Sequence, residues 1–191
     1  MGQLGLCLLL CLVHLITVSG SWTTATRFDP TVDYVAGSYS SPSNVVMVGA
    51  SGSSGAVIRS VNGGTDWSAS TAPTDFFSDV SGMTISSTGY FLVVSSGGVI
   101  YLSTNNGQSF SSVFTSSSAT SPLSLFGVVI AGGNNYGFAV GSTLNPNAGK
   151  IYRSPFGYTS WTDLSSGISS LTKVHYYFGL FSQYSFYSFN C

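Results

Sequence analysis

Apolar and polar positions alternate in blocks along this chain, and the blocks return in the same order three times. Each round opens with an apolar run, at residues 32–35, 80–85 and 125–131. A polar or glycine-bearing turn follows, at 86–89 in the second round and 132–135 in the third. A second apolar run comes next, at 45–48, 90–94 and 136–140, and then a third, at 56–58 and 99–101, with Lys150-Ile151-Tyr152-Arg153 standing in its place in the third round. Short apolar runs bounded by Gly, Ser and Asn read as strands, and near-continuous ones read as strands covered on both faces. Beyond the first 20 residues no helical pattern of useful length occurs, apart from an ambiguous one near 171–181.

Each third run leads into an eight-residue box. The first box carries Ser60, Asn62, Gly64, Asp66 and Trp67, and the second carries Ser103, Asn105, Gly107, Ser109 and Phe110. A third, worn copy keeps Ser154, Ser160 and Trp161. From serine to serine the spacing is 43 and then 51 residues, a period that belongs to blades or arrays. The Asn-Gly pairs at 62–63 and 106–107 accept the positive φ of tight turns. Serine and asparagine side chains can bond nearby backbone groups. The closing aromatic, Trp67, Phe110 or Trp161, is expected to bring a large apolar surface back under the turn. The box therefore reads as a structural staple, with a fourth strand opening on its aromatic. Four strands in such a span make a propeller blade. The expectation is an all-β β-propeller with antiparallel units near 30–70, 77–116 and 123–164. Residues 171–174 read as the start of a fourth blade, and 183–186 echo 135–138. Three to three and a half blades are an incomplete ring, open to self-association through blade edges.

The boxes resemble the Asp-box, or bacterial neuraminidase repeat, Ser-x-Asp-x-Gly-x-Thr-Trp. Families similar in this respect include sialidases, sortilin-type receptors, some glucan hydrolases and the photosystem II stability and assembly factors. The resemblance covers roughly residues 30–182 and implies a β-propeller whose boxes join the third and fourth strands of a blade. The chain departs from the pattern at Asn62 and Asn105, where the family usually carries Asp, and at Phe156 and Tyr158, where Asp and Gly are expected.

Composition narrows the picture. Charged residues are 6% and the net charge is −1, while aromatics reach 14%. That aromatic load argues against a disordered stalk, and without a basic patch nucleic acid is not an expected partner. No Asn-x-Ser/Thr sequon occurs. The apolar stretch from Leu4 to Val18 is short of the about 20 residues a membrane span needs. It ends in Val18-Ser19-Gly20, with small residues where a signal peptidase reads. Residues 1–20 are therefore expected to be a signal peptide and 21–191 a secreted partial propeller with no membrane attachment. Position 6 is Leu, so myristoylation is not indicated. Cys7 and Cys11 leave with the signal, and Cys191 alone remains, so no internal disulfide is expected.

Catalytic chemistry finds few parts. Sialidases are similar to propellers in which three arginines grip a carboxylate, with a Glu-activated Tyr and an Asp acid. This chain has no Glu, and its arginines are Arg27, Arg59 and Arg153. Arg59 and Arg153 sit at equivalent places just before their boxes, a feature of the repeat. Glycoside hydrolysis needs two acids roughly 5–10 Å apart. Asp75 with Asp79, and Asp29 with Asp33, are the close pairs, and both read as residues of inter-strand connections. After the signal, His175 is the one histidine, so no zinc cluster can form. Asn62 and Asn105 lower the charge available to calcium. No catalytic residue, metal or cofactor is assigned. The expected function, resting on fold analogy, is a secreted non-catalytic binding or assembly scaffold for a protein or glycan partner. The alternatives are a glycoside hydrolase fragment and a photosystem II assembly factor-like protein.

Overall fold

The computed structural model describes residues 31–85, 87–118, 120–131, 136–144 and 147–166. The signal stretch with Cys7 and Cys11, Arg27, Asp29, His175, Cys191, the ambiguous helix and the start of a fourth blade lie outside the described residues.

Among the described residues, twelve strands form three four-stranded antiparallel sheets, each in simple sequential order. Blade 1 holds β1 (Asp33–Tyr39), β2 (Val45–Ser51), β3 (Ser54–Ser60) and β4 (Ser68–Ala69). Blade 2 holds β5 (Phe77–Ile85), β6 (Thr88–Ser95), β7 (Val99–Ser103) and β8 (Ser111–Thr115). Blade 3 holds β9 (Leu123–Ala131), β10 (Tyr136–Leu144), β11 (Asn147–Pro155) and β12 (Thr162–Asp163). The three units expected from the sequence are these three sheets. Every box spans the passage from third strand to fourth. The blades meet along their first strands, β1 against β5 and β5 against β9.

Each first strand carries a bulge at the same place. The extra residues are Val35, Ser78 and Phe126, which fall where the ladder register shifts. Opposite the shift stand Gly49 in blade 1 and Gly141 in blade 3. A Cβ there would lie 2.3 Å from Asp33 O or 1.9 Å from Ser124 O, so only glycine lets the bulged backbone come that close.

The core is two slabs between the sheets. Val46, Val48 and Val57 of blade 1 meet Phe77, Val80, Phe91, Val93, Tyr101 and Phe110 of blade 2. On its other face blade 2 offers Leu92, Val94, Ile100 and Leu102 to Leu123, Leu125, Val128, Ala139, Tyr152 and Tyr158 of blade 3. Blade 2 is thus covered on both faces, which is why β6 is buried from Phe91 to Ser95 almost without alternation. Each such apolar side chain contributes about 1.5–3 kcal/mol on burial. A repeated polar staple adds register. Ser38 Oγ accepts the amide of Gly82 at 2.9 Å, and Ser81 Oγ, one blade on, accepts that of Ile130 at 3.1 Å.

Candidate functional site

The boxes come first, because they carry the chain's most distinctive residues. In the first, Ser60 Oγ donates to Asn62 Oδ1 at 2.9 Å and accepts the Gly64 amide at 2.8 Å. Asn62 Oδ1 also accepts the Asp66 amide at 2.9 Å, while Asn62 Nδ2 donates to Asp66 Oδ2 at 2.8 Å. The second box repeats this with Ser103, Asn105, Gly107 and Ser109 at 2.8–3.0 Å. In the first box the bond from Nδ2 needs a side-chain donor, which Asn supplies and an ionised Asp lacks. In the first box an aspartate at 62 would instead face the Asp66 carboxylate as a like charge. The asparagine oxygens are committed inside their own loops.

All three boxes hold positive φ at their fourth and fifth positions: Gly63 and Gly64, Asn106 and Gly107, Gly157 and Tyr158. The worn copy has lost the sequence pattern and kept the backbone path. Its Trp161 Nε1 donates to Tyr158 O at 3.0 Å, as Trp67 Nε1 does to Gly64 O at 2.9 Å. Ser154 is buried and donates to Pro155 O at 3.3 Å. The closing aromatics differ from the expectation of a buried anchor. Phe110 is buried between blades 1 and 2, but Trp67 and Trp161 are half-buried. Trp67 is not among the residues of the slab between blades 1 and 2. Tyr158, a departure from the box pattern, is the fully buried aromatic of the third box.

The carboxylates do not converge on one bond. Asp75 Oδ2 accepts from Tyr101 Oη and, at 3.3 Å, from Ser95 Oγ, all within the span leading to and through blade 2. Burial and the neighbouring Asp75 push the Tyr101 phenol up. Asp79 is a residue of strand β5, a correction to its placement in a connection, because the bulge at Ser78 lets the strand run back to Phe77. Its Oδ2 accepts the Val128 amide at 2.9 Å and ties blade 2 to blade 3. Burial pushes the Asp79 carboxyl up, against the lowering effect of the Val128 and Val80 amides. Asp33 opens β1. Arg153 lies over the Tyr136 ring, 5.3 Å from its centroid, and Arg59 sits at the equivalent place in blade 1.

Among the described residues, a cleft of about 520 Å³ lies between blades 2 and 3. One wall is the end of β8 with the chain after it: Phe114, Ser117, Ser118 and Ser121. The other wall is Thr143, Ala148, Lys150 and Tyr152 of the β10–β11 hairpin, with Trp161 and Asp163. Phe114 and Tyr152 pack at 4.9 Å with their planes 50° apart, giving an aromatic floor. The Ser121 amide donates to Ser118 Oγ at 3.1 Å and shapes the serine wall. Lys150 Nζ and Asp163 Oδ2 pair at 2.7 Å. The bond to Asp163 holds Lys150 above its ordinary range. Partial burial pushes Asp163 up, but bonds from Lys150 and Ser165 outweigh it and hold the carboxyl low. Such a cleft offers hydroxyl donors and acceptors over an apolar base, with its one acid already paired. Of its lining only Trp161 stands out in the sequence, because the walls come from separate blades.

No protein-family model and no curated protein matches the chain. Solved structures do. YCF48 from Cyanidioschyzon merolae superposes with a TM-score of 0.56 at 21% identity, over 75% of this chain and 40% of that one. YCF48 bound to a D1 peptide gives 0.53 at 19%, over 75% and 47%. A GH74 enzyme from Niastella koreensis gives 0.39 at 12%, over 71% and 30%, too distant to bear on the fold. The chain thus spans less than half the length of these structures. Together with the three sheets, the YCF48 likeness defines the class: this is a β-propeller chain built of four-stranded antiparallel blades.

Proposed function

We propose that the chain is a secreted, non-catalytic propeller scaffold of the Asp-box kind, which binds a protein partner through the cleft between blades 2 and 3. The observation that carries the reading is the cleft itself, with the Phe114–Tyr152 floor, the serine wall and the paired Lys150 and Asp163. A sugar ring would call for a flat, open aromatic face. Tyr152 is only 8% exposed, and its ring is tilted against Phe114. That shape suits the separate side chains of a peptide better. One YCF48 structure is a complex with a D1 peptide, so a propeller of related fold holds a peptide, which favours the same partner class here. The Ser60 and Ser103 boxes, with their repeated bonds, support the Asp-box grouping. The apolar N-terminal stretch supports secretion.

The test is to pan the purified protein against a phage-displayed decapeptide library and measure the enriched peptides, made synthetically, by calorimetry. Ser117→Arg, which fills the cleft from an exposed position, should abolish binding without altering the unfolding midpoint. Binding on a glycan array with no peptide enriched would overturn the protein-partner reading.

A further inference from the structure

The boxes hold three asparagines, and the partner of each side-chain amide decides what its loss would do. In the second box Asn105 Nδ2 donates to Ser109 Oγ at 2.8 Å. A hydroxyl can turn and donate instead, so a carboxylate at 105 keeps the contact. Asn106 serves as an acceptor. Its Oδ1 takes the Gly89 amide at 2.5 Å and Asn44 Nδ2 at 3.1 Å, and a carboxylate at 106 accepts both as well. Asn62 differs from both. Its Nδ2 donates to a carboxylate, Asp66 Oδ2, at 2.8 Å. An oxygen in place of that nitrogen would meet Asp66 at hydrogen-bond distance, where two carboxylates cannot both ionise without cost.

Asn62 is also followed by a residue that leaves its amide open to attack from within the chain. Gly63 has no Cβ to shield its own nitrogen. The turn requires glycine there on two counts, since φ is 70° and a Cβ would lie 3.3 Å from Pro42 O. Asparagine is one of the thermolabile residues, and its loss here needs only water. The Gly63 nitrogen bonds to Asn62 Cγ and gives up its proton. The Cγ–Nδ2 bond breaks, and ammonia leaves. Water then opens the cyclic imide at one carbonyl or the other. The product is aspartate, or isoaspartate with the main chain routed through the side-chain carbon.

The closed box holds this reaction off. The Gly63 amide donates to Ser43 O at 2.9 Å. The Asn62 side chain is turned toward residue 66 by Ser60 Oγ and the Asp66 amide, both at 2.9 Å, and by Asp66 Oδ2. Attack therefore proceeds only from a locally opened box, and local opening belongs to the native state.

We propose that Asn62 is a self-modification site, where deamidation through Gly63 unlatches the turn between β3 and β4 in one direction. Neither product lets the box reclose. Aspartate faces Asp66, and isoaspartate adds a main-chain carbon before Gly63 and takes its amide off Ser43 O. The effect passes beyond the box. The turn that holds Ser43 continues into Asn44, whose Nδ2 bonds to Asn106 of the second box. Deamidated chains accumulate with time and with opening, and they carry a loosened link between blades 1 and 2.

The experiment holds the full chain in mildly alkaline buffer, folded or in urea. Isoaspartate is measured by methyltransferase labelling and placed by peptide mapping. Folded protein should gain label at Asn62 about tenfold or more slowly than protein in urea, the factor that one net bond of opening gives. Asp66→Ala, which frees Nδ2, should speed labelling of the folded chain by about tenfold, while Asp66→Asn, which keeps an acceptor, should not. The product is tested by substitution. Asn62→Asp should lower the folding equilibrium constant by about tenfold in urea titrations, and Asn105→Asp or Asn106→Asp by no more than about threefold. Adding Asp66→Asn to Asn62→Asp should restore the parent value, because donor and acceptor then only change places. If Asp66→Ala fails to fold, Asn62→Asp and its rescue decide. Label at Asn62 that forms as fast in the folded chain as in urea would overturn the proposal, since the box would not guard the amide. Label that forms in urea and never in the folded chain would overturn it too, since the box would not open. An Asn62→Asp protein as stable as the parent would overturn the one-way unlatching.

Discussion

Tyr158 sets two effects against each other in one residue. Its backbone is left-handed, with φ of 53°, where the two better boxes place glycine. Holding a residue with a Cβ there costs about 1–2 kcal/mol. Its side chain is fully buried in the slab between blades 2 and 3, with the hydroxyl donating to Met83 Sδ at 3.3 Å. The fit is close, since a Cβ on Gly137 would come within 3.1 Å of the ring. Truncating a buried aromatic costs about 3–5 kcal/mol. The packing loss outweighs the relief of strain, so Tyr158→Gly should destabilise the protein by about 1–4 kcal/mol. Tyr158→Asn, which tolerates the left-handed backbone but lacks the ring, should lose a similar amount. Tyr158→Phe keeps the ring and should stay within about 1 kcal/mol. Urea unfolding followed by near-ultraviolet circular dichroism measures all three. A Tyr158→Gly variant as stable as the parent would refute the reasoning, since the strain would then match or exceed the packing. The phenol adds a pH signature. Burial pushes its pKa from 10.0 to about 12. A group neutral in the fold and ionised when unfolded takes stability away as pH rises above the unfolded value. Between pH 10 and about 12 the parent should therefore lose stability faster than Tyr158→Phe.

Ser81→Ala should cost about 1–3 kcal/mol by leaving the Ile130 amide without its acceptor, read as a shift in the urea midpoint. Asp79 has its folded pKa raised above 3.8 by burial, so the parent binds more protons folded than unfolded, and this group's contribution falls as pH rises through that window. Asp79→Asn should therefore gain on the parent as pH rises above 3.8, and unfolding curves with no such divergence would contradict it. Lys150→Met should change stability by less than about 1 kcal/mol, because the pair with Asp163 is partly exposed. Purified protein offered chromogenic sialosides and β-glucans should show no turnover; activity lost on replacing Asp75 or Asp79 would revive the glycosidase alternative.

The order of strands was legible from local chemistry. Apolar runs of strand length, Asn-Gly turns and a serine-to-aromatic box recur in one dimension, and each acts within a few residues of itself. Ser60 bonds to Asn62 and Gly64 whatever the rest of the chain does, so three blades and their boundaries follow from the local pattern alone. The faces of the blades were not legible in the same way. Whether Phe110 is buried and Trp67 half-exposed depends on which sheet lies alongside, not on the box that holds it. Asp79 looked like a loop acid because the bulge that keeps it in β5 is set by pairing with β6. Tyr158 looked like decay because its side chain is seated by Leu92, Ile100 and Met83 of another blade. The cleft belongs to this second kind. Ser117 and Lys150 are far apart in sequence and line one cleft only because blades 2 and 3 pack along β5 and β9. Local hydrogen bonding made the blades, and the burial of one sheet against the next made the site.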